Sequence, residues 1–109
     1  MKISLARRVV AEFIGTAFLV AAVIGSGVMG DRLASGNIAL ALLANTIATG
    51  AALVALIFAF GGISGAHLNP VVSVMDALEG GLPWKQTPHY VIGQVLGGIT
   101  GAIIAHLMF

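Results

Sequence analysis

The polar residues that could do chemistry in this sequence are few, and their spacing favours hydrogen bonding over catalysis. Glu12 and Gln94 stand inside long apolar runs, whereas Asn69 and its neighbours lie in a glycine-rich stretch. The histidines are dispersed at positions 67, 89 and 106 and there is no cysteine, so we expect neither a metal site nor a thiol nucleophile within one chain. No group of side chains forms a reactive constellation, and the sequence therefore predicts neither an enzyme nor a cofactor.

Asn69 and Pro70 are the residue types with which a helix begins. Asparagine is a preferred N-cap, and proline fits the first helical position because the N–H that it lacks would have no partner there. A helix that starts at Asn69 carries the positive end of its dipole, about half an elementary charge, at that residue. This end offers hydrogen-bond donors and repels cations. An ordinary Asn-Pro turn at a membrane surface is the alternative that the spacing alone leaves open.

The composition indicates what kind of elements position these residues. Of the 109 residues, 59% are hydrophobic and 8% are charged, against about 25% charged residues in an average soluble domain. The mean hydropathy is +1.07 and 15 residues are glycine, which indicates helices that pack closely in lipid. These values exclude a soluble enzyme, and the net charge of +1 excludes a nucleic-acid partner.

Three apolar runs are long enough to cross roughly 30 Å of hydrocarbon, which takes about 20 helical residues. The predicted spans cover about residues 9–28, 38–60 and 88–109. Between the last two, residues 61–79 combine a glycine-rich loop with an apolar helix that is too short to cross. Irregular backbone at membrane depth is tolerated only where protein buries it or where it lines a wet cavity. The sequence therefore predicts an all-α membrane protein with three transmembrane helices and one re-entrant half-helix.

Three separated motifs resemble the major intrinsic protein family, the aquaporins and aquaglyceroporins. They are Ala11-Glu12-Phe13-Ile14-Gly15-Thr16, then Ser64-Gly65-Ala66-His67-Leu68-Asn69-Pro70-Val71-Val72-Ser73, and finally Gln94 followed by Gly97 and Gly101. The motifs occur in the family's order over nearly the whole chain. Because the family has six spans and two inverted Asn-Pro-Ala half-helices, the resemblance implies half of an aquaporin-like fold.

The resemblance also implies a role for each pore residue. Asn69 would be the hydrogen-bond donor at the constriction, Pro70 the start of the half-helix and Val71 the contact between two half-helices. Alignment on Asn69 places Thr49 at the filter position of the second helix. Backbone carbonyls before Asn69 would accept hydrogen bonds from a permeating hydroxyl, and they belong to Gly62, Gly65, Ala66, His67 and Leu68. The His67 side chain is expected to pack in the loop rather than to act as a titrating gate.

Glu12 and Gln94 are predicted to brace this loop. The resemblance assigns Glu12 to the backbone N–H groups between Gly65 and Leu68, which would turn the loop carbonyls toward the pore. A shallow Glu12 that pairs with an arginine one turn away, Arg7 or Arg8, is the alternative. For Gln94 the alternative is a buried amide that joins two helices.

Two positions depart from the family pattern. The alanine of Asn-Pro-Ala is Val71 here, which adds bulk where the half-helices would meet. The next residue is Val72, so this half lacks the arginine that follows the second Asn-Pro-Ala in the family and narrows the filter. With the small hydroxyl of Thr49, these departures favour glycerol-sized neutral solutes, including metalloid hydroxides, besides water.

Five glycines are predicted to lie where helices cross: Gly15, Gly50, Gly93, Gly97 and Gly101. The last three recur every four residues, a pattern that a generic helix-dimer motif explains equally well. Charges predict the orientation, since Lys2, Arg7, Arg8 and Lys85 fall on one side of the membrane and Arg32 on the other. The bias predicts a cytoplasmic N-terminus in the cell membrane, plasma or inner, and is small enough to leave dual topology open.

The sequence thus predicts a passive channel for water or small neutral solutes such as glycerol, formed when two inverted half-repeats pair in lipid. The second half would be an inverted copy, in an antiparallel homodimer, or a separate chain, and four pores could cluster. The chain would be a natural half-channel or a piece of a longer protein. The rival hypotheses are a non-conducting membrane oligomer and half of a secondary transporter, although Glu12 is the only carboxylate inside a predicted span.

Overall fold

The computed structural model describes residues 3–109, and these form four α-helices and no strand. The helices are α1 (Leu5–Leu33), α2 (Ile38–Ser64), α3 (Pro70–Leu78) and α4 (Thr87–Met108). In length and composition α1, α2 and α4 can each cross a membrane, whereas α3 has nine residues and cannot. The predicted all-α membrane architecture, half of an aquaporin-like fold, is confirmed.

Each of the first three helices begins at a residue whose side chain caps it. The oxygens of Ser4, Asn37 and Asn69 accept hydrogen bonds from backbone N–H groups in the first turn of α1, α2 and α3, respectively. These bonds pair donors that a helix leaves without a partner inside itself. The residue type at each of these positions therefore indicates where the helix begins.

The irregular segment before α3 is shorter than the glycines suggested. We expected the loop to begin at residue 61, but α2 continues through Gly61 and Gly62 and ends at Ser64. Gly65 ends it in the left-handed conformation, with φ of 90°, and donates its N–H to the carbonyl of Gly61. Gly62 is therefore a helix residue, and residues 65–69 alone form the loop.

Helix α1 lies between α2 and α4 and packs against both, while α3 packs against α4. The glycine stripe of α4 lies at the crossing with α1. A Cβ added at Gly93 would come within 3.1 Å of the carbonyl oxygen of Val9, and one at Gly97 or Gly101 would collide with a carbonyl oxygen one or two turns further along α1. The absence of side chains lets the two backbones approach closely.

The other two predicted crossing glycines differ from this pattern. Gly15 is covered by the side chains of Leu68 and Phe60, so a loop residue packs there in addition to α2. Nothing lies within 4 Å of a Cβ added at Gly50, so no helix of residues 3–109 crosses there. The physical reason is that α2 meets α1 on another face, where Gly30 contacts Ala41 and Ala44.

The outer face of α2 has no partner in residues 3–109. Ser64 is the single buried residue of this helix, and large apolar side chains such as Phe58, which is 85% exposed, point outward. At one end of the bundle Arg8 donates to the side-chain oxygen of Gln86 at 2.9 Å, which joins the start of α1 to the start of α4. Lys2, which contributed to the predicted orientation, lies outside the described residues.

Candidate functional site

The loop from Gly65 to Asn69 has an unusual backbone. Gly65, Ala66 and Leu68 all have positive φ, at 90°, 49° and 57°. Left-handed geometry costs an L-residue with a side chain roughly 1 kcal/mol. Two such residues within three positions require contacts that hold the loop in place.

The carboxylate of Glu12 supplies these contacts from α1. Glu12 is fully buried, and its Oε2 accepts from the N–H of His67 at 3.2 Å while its Oε1 accepts from the N–H of Leu68 at 2.8 Å. The Ser64 hydroxyl donates to Oε2 and the Gln94 amide donates to Oε1 at 2.7 Å. Four donors match the roughly four acceptor positions of a carboxylate, so the buried charge is fully paired.

A second layer of buried polar groups surrounds this carboxylate. Gln94, which is 1% exposed, donates to the hydroxyl of Ser73 at 2.9 Å as well as to Glu12. Tyr90, also 1% exposed, donates its hydroxyl to the carbonyl of Ser64 at 2.8 Å. The second layer therefore joins α4 to both ends of the loop and to α3.

His67 packs inside the loop and is held at both ring nitrogens. Nδ1 lies 2.8 Å from the Ser73 hydroxyl and Nε2 lies 3.5 Å from a carboxylate oxygen of Asp76, while the ring sits 5.2 Å from that of Tyr90. The Ser73 hydroxyl accepts from Gln94, and its own proton can be donated to Nδ1 in the Nε2–H tautomer of His67. In that tautomer the Nε2–H faces Asp76.

The same hydrogen bonds decide where the loop carbonyls point. In a trans peptide the N–H and the preceding C=O point to opposite sides. The N–H groups of His67 and Leu68 face Glu12, so the carbonyls of Ala66 and His67 face away from it. The N–H of Ala66 faces the Ser64 hydroxyl at 3.2 Å, which turns the Gly65 carbonyl outward in the same way. Within the described part of the chain none of these carbonyls accepts a hydrogen bond.

Asn69 ends this row of acceptors with a donor. Its Oδ1 accepts from the N–H of Val71 at 2.8 Å, which is the N-cap bond of α3. This bond orients the amide, whose NH₂ group donates to no residue in the range 3–109, and Asn69 is exposed. Pro70 occupies the first turn of α3, and Val71 and Val72 follow with exposures of 68% and 45%.

Thr49 lies apart from this loop. Leu68 packs beside Gly15 together with Phe60, and Thr49 is 11 residues before Phe60 on α2, about 16 Å along the helix axis. Thr49 is partly exposed, and its hydroxyl makes no hydrogen bond to other residues in the range 3–109. The single chain therefore does not bring Thr49 and Asn69 to one point.

Three members of the network were missed from the sequence. Ser64 and Ser73 are ordinary polar residues at a helix end and on a short helix, and no spacing marks them. Tyr90 is buried, whereas the neighbouring His89 and the nearby Trp84 are exposed. A tyrosine one turn before Gln94 on the same helix face was the available signal.

The alternatives for the two predicted braces can be compared with these contacts. Glu12 is fully buried within the protein, and Arg8, one of the two arginines of that alternative, binds Gln86 instead. Gln94 does join helices, as the simpler hypothesis stated, and it also donates to Glu12, the carboxylate that holds the loop. One polar atom of the cluster, Oε1 of Gln94, is buried without a partner among residues 3–109.

Comparison with known proteins identifies the same family as the sequence motifs. A family model described as Major intrinsic protein matches residues 1–109. The chain is 57% identical over 105 residues to an aquaglyceroporin, AqpS, from Rhizobium meliloti (strain 1021), covering 96% of this chain and 45% of that protein. It is 36% identical over 98 residues to a probable aquaporin, NIP7-1, from Arabidopsis thaliana, covering 90% of this chain and 34% of that protein.

A shorter match joins the chain to a bacterial relative. The glycerol uptake facilitator protein of Bacillus subtilis (strain 168) is 48% identical over 52 residues, which cover 48% of this chain and 19% of that protein. The chain thus spans less than half of the length of these curated relatives.

Proposed function

Because this chain belongs to the major intrinsic protein family, we propose that it forms half of a passive membrane channel for water and small neutral solutes such as glycerol. The two halves of the channel would be related by inversion across the membrane. No covalent chemistry is required of the protein, and the solute crosses down its own gradient.

The observation that carries this proposal is the row of unpaired carbonyls that ends at the free amide of Asn69. Gly65, Ala66 and His67 turn their carbonyls away from Glu12, and no described residue donates to them. Unpaired backbone groups in an apolar layer are costly, so such a row requires water or a hydroxylated solute beside it. A permeating molecule can then exchange its water partners for protein partners without a large desolvation barrier.

The half-helix argues against a cationic solute. The N-terminus of α3 lies at Asn69 and carries a partial positive charge, which repels cations. The name of the aquaglyceroporin relative, the valines at 71 and 72 and the small Thr49 all favour a solute of glycerol size besides water. Metalloid hydroxides have the same size and neutrality.

The exposed first turn of α3, which has no partner among residues 3–109, supports a second half. Val71 is 68% exposed, although it sits at the end that would meet another half-helix, and the outer face of α2 is uncovered. The second half is either an inverted copy of this chain or a separate chain, and four such pores form the larger assembly. The charge bias supports a cytoplasmic N-terminus, and the proposed location is the cell membrane, with both orientations in the case of an inverted copy.

Liposome reconstitution tests the proposal. The purified chain is reconstituted, and water and glycerol permeabilities are measured by stopped-flow light scattering, with the Asn69→Asp variant as the comparison. We expect permeability above that of empty vesicles, lost or converted to cation leakage in the variant because a charge replaces the donor. Flux that is identical in both proteins would refute the assignment of Asn69.

A folded chain that gives no flux points to one of the two rival assemblies. Conduction that appears when the complementary half of a relative is added supports a separate second half. Cross-linked oligomers that stay impermeable in every combination support the non-conducting oligomer that the uncovered face of α2 would also form.

A further inference from the structure

A second polar stripe lies on α2, away from the Asn69 loop. Residues 38, 42, 45 and 49 fall on one face of this helix, and the last two, Asn45 and Thr49, are polar. Thr46, between them, donates its hydroxyl to the carbonyl of Leu42 at 2.8 Å. The Thr49 hydroxyl and the NH₂ group of Asn45 form no hydrogen bond to any residue that the structure describes. The stripe therefore presents free donors in a helix that is otherwise apolar.

The amide of Asn45 is oriented from α1. The hydroxyl of Ser26 donates to its Oδ1 at 2.7 Å, which leaves the NH₂ group directed away from that contact. Gly27, the next residue of α1, has no side chain, and a Cβ added there would lie 3.7 Å from the same oxygen. Any larger residue at position 27 would pack over the amide. Ser26 and Gly27 together hold Asn45 in one orientation and leave it accessible.

The amide opens into a groove of about 210 Å³ between α1 and α2. At roughly 30 Å³ of liquid volume per water, this groove holds about seven waters or a small organic molecule. The carboxylate of Asp31 lines the groove as an acceptor, and Asn45 lines it as a donor. Ile38 and Leu42 add apolar surface between them. Alternating donor, acceptor and apolar surface matches a short polyol, whose hydroxyl groups alternate with carbon atoms.

We propose that Asn45, oriented by Ser26, forms with Asp31 a binding site for a small neutral polyol, one helical turn beyond Thr49. Binding at this site does not depend on the proposed channel function. Only its effect on transport does, since a polyol bound there would enter past Thr49 toward the loop carbonyls. Its effect is selectivity: the site raises the occupancy of a polyol at the entrance, whereas water, which needs no such contact, passes equally well without it.

The structural alternative is that the Ser26–Asn45 bond merely joins α1 to α2. Two variants separate this from binding. Asn45→Asp keeps an oxygen for the Ser26 hydroxyl and loses the free donors, whereas Asn45→Leu loses both. Thr46→Val is the matched control, because that hydroxyl is one residue away and is already bound to its own helix.

The first measurement is binding, which does not depend on conduction. Saturation-transfer NMR with glycerol is recorded on each protein in lipid, after circular dichroism has shown that the helices are intact. We expect transfer from the unaltered protein and from Thr46→Val, and a loss of about tenfold in both Asn45 variants, since one hydrogen bond contributes about this factor. Equal transfer in all four proteins overturns the site.

The second measurement is the ratio of glycerol to water permeability in liposomes. We expect both Asn45 variants to lower the ratio about tenfold and the control to stay within twofold. A conducting protein whose ratio is unchanged by either variant overturns the site and leaves the channel function standing. A protein that binds glycerol through Asn45 but does not conduct, either alone or with the complementary half of a relative, refutes the channel function and leaves the site standing.

Discussion

Exchange of Glu12 for glutamine tests how the loop is held, because it removes the charge and one acceptor while keeping the shape of the side chain. One carboxylate oxygen faces the donors of Ser64 and His67, and the other faces those of Leu68 and Gln94. The serine hydroxyl can rotate to accept from the new NH₂ group, and the Gln94 amide can turn over. A backbone N–H cannot do either, so one loop N–H loses its acceptor in each orientation of the new side chain.

The size of the effect can be worked from these contacts. A lost hydrogen bond to a charged group costs about 1.5–3 kcal/mol. The remaining bonds lose their charge assistance, which roughly halves them, and we estimate about 1 kcal/mol for each. The anchor site is thus destabilised by about 4.5–6 kcal/mol, from one lost bond and three weakened ones, while the left-handed residues Ala66 and Leu68 still carry strain of roughly 1 kcal/mol each. Even the lower figure corresponds to a change of at least about a hundredfold in loop opening.

Hydrogen exchange of the protein in lipid measures this opening directly. In Glu12→Gln the amides of His67 and Leu68 are expected to exchange at least about a hundredfold faster, and water permeability is expected to fall because the carbonyl row is no longer aligned. Glu79→Gln serves as the control, because Glu79 is exposed at the end of α3 and its side chain makes no hydrogen bond within residues 3–109. Unchanged protection of both loop amides in Glu12→Gln, with the helices intact, would refute the anchoring argument.

Three further predictions concern packing and orientation. Gly97→Ala places a methyl against an α1 carbonyl and is expected to destabilise the protein by about 1–3 kcal/mol. Gly50→Ala is expected to be neutral or to stabilise the protein by up to about 1 kcal/mol. Thermal unfolding in detergent measures both changes. Tyr90→Phe leaves a buried carbonyl unpaired and is expected to lower the melting temperature at a cost of about 1–2 kcal/mol. Arg7→Gln combined with Arg8→Gln is expected to raise the inverted fraction, and an unmoved C-terminal topology reporter would argue against orientation by charge.

The helices and their order could be predicted from the sequence, because long apolar runs and capping residues act locally. Three spans and a short fourth helix were expected and are present, and Asn69 caps α3 as its residue type suggests. The end of α2 was misjudged, because two glycines weaken a helix by only about 1 kcal/mol each and the hydrogen-bonded helix carries on to Gly65. Which face of α2 meets α1 is a matter of packing, and within residues 3–109 that face does not include Gly50.

The family resemblance predicted which residues form the loop site. It did not predict the buried polar side chains that hold the loop. Ser64 and Ser73 lie at the two ends of the motif that contains Asn69, and Tyr90 lies one turn before Gln94, but the motif does not show that these three side chains belong to one buried network. Their roles depend on where a side chain lies once the helices have packed. Tyr90 illustrates this, since the same residue suits a membrane interface and a buried hydrogen bond to a loop carbonyl.

The sequence by itself determined that this chain lies in a membrane as helices, where the half-helix begins and which family it belongs to, because hydropathy, capping and motif are properties of neighbouring residues. Only the tertiary structure decided how the carboxylate of Glu12 is satisfied. Its four donors are 52, 55, 56 and 82 residues away along the chain. A buried charge requires all of them at once, and the backbone N–H groups among them are donors that every residue except proline has. Their convergence, and the outward turn of the loop carbonyls that follows from it, exists only in the packed protein.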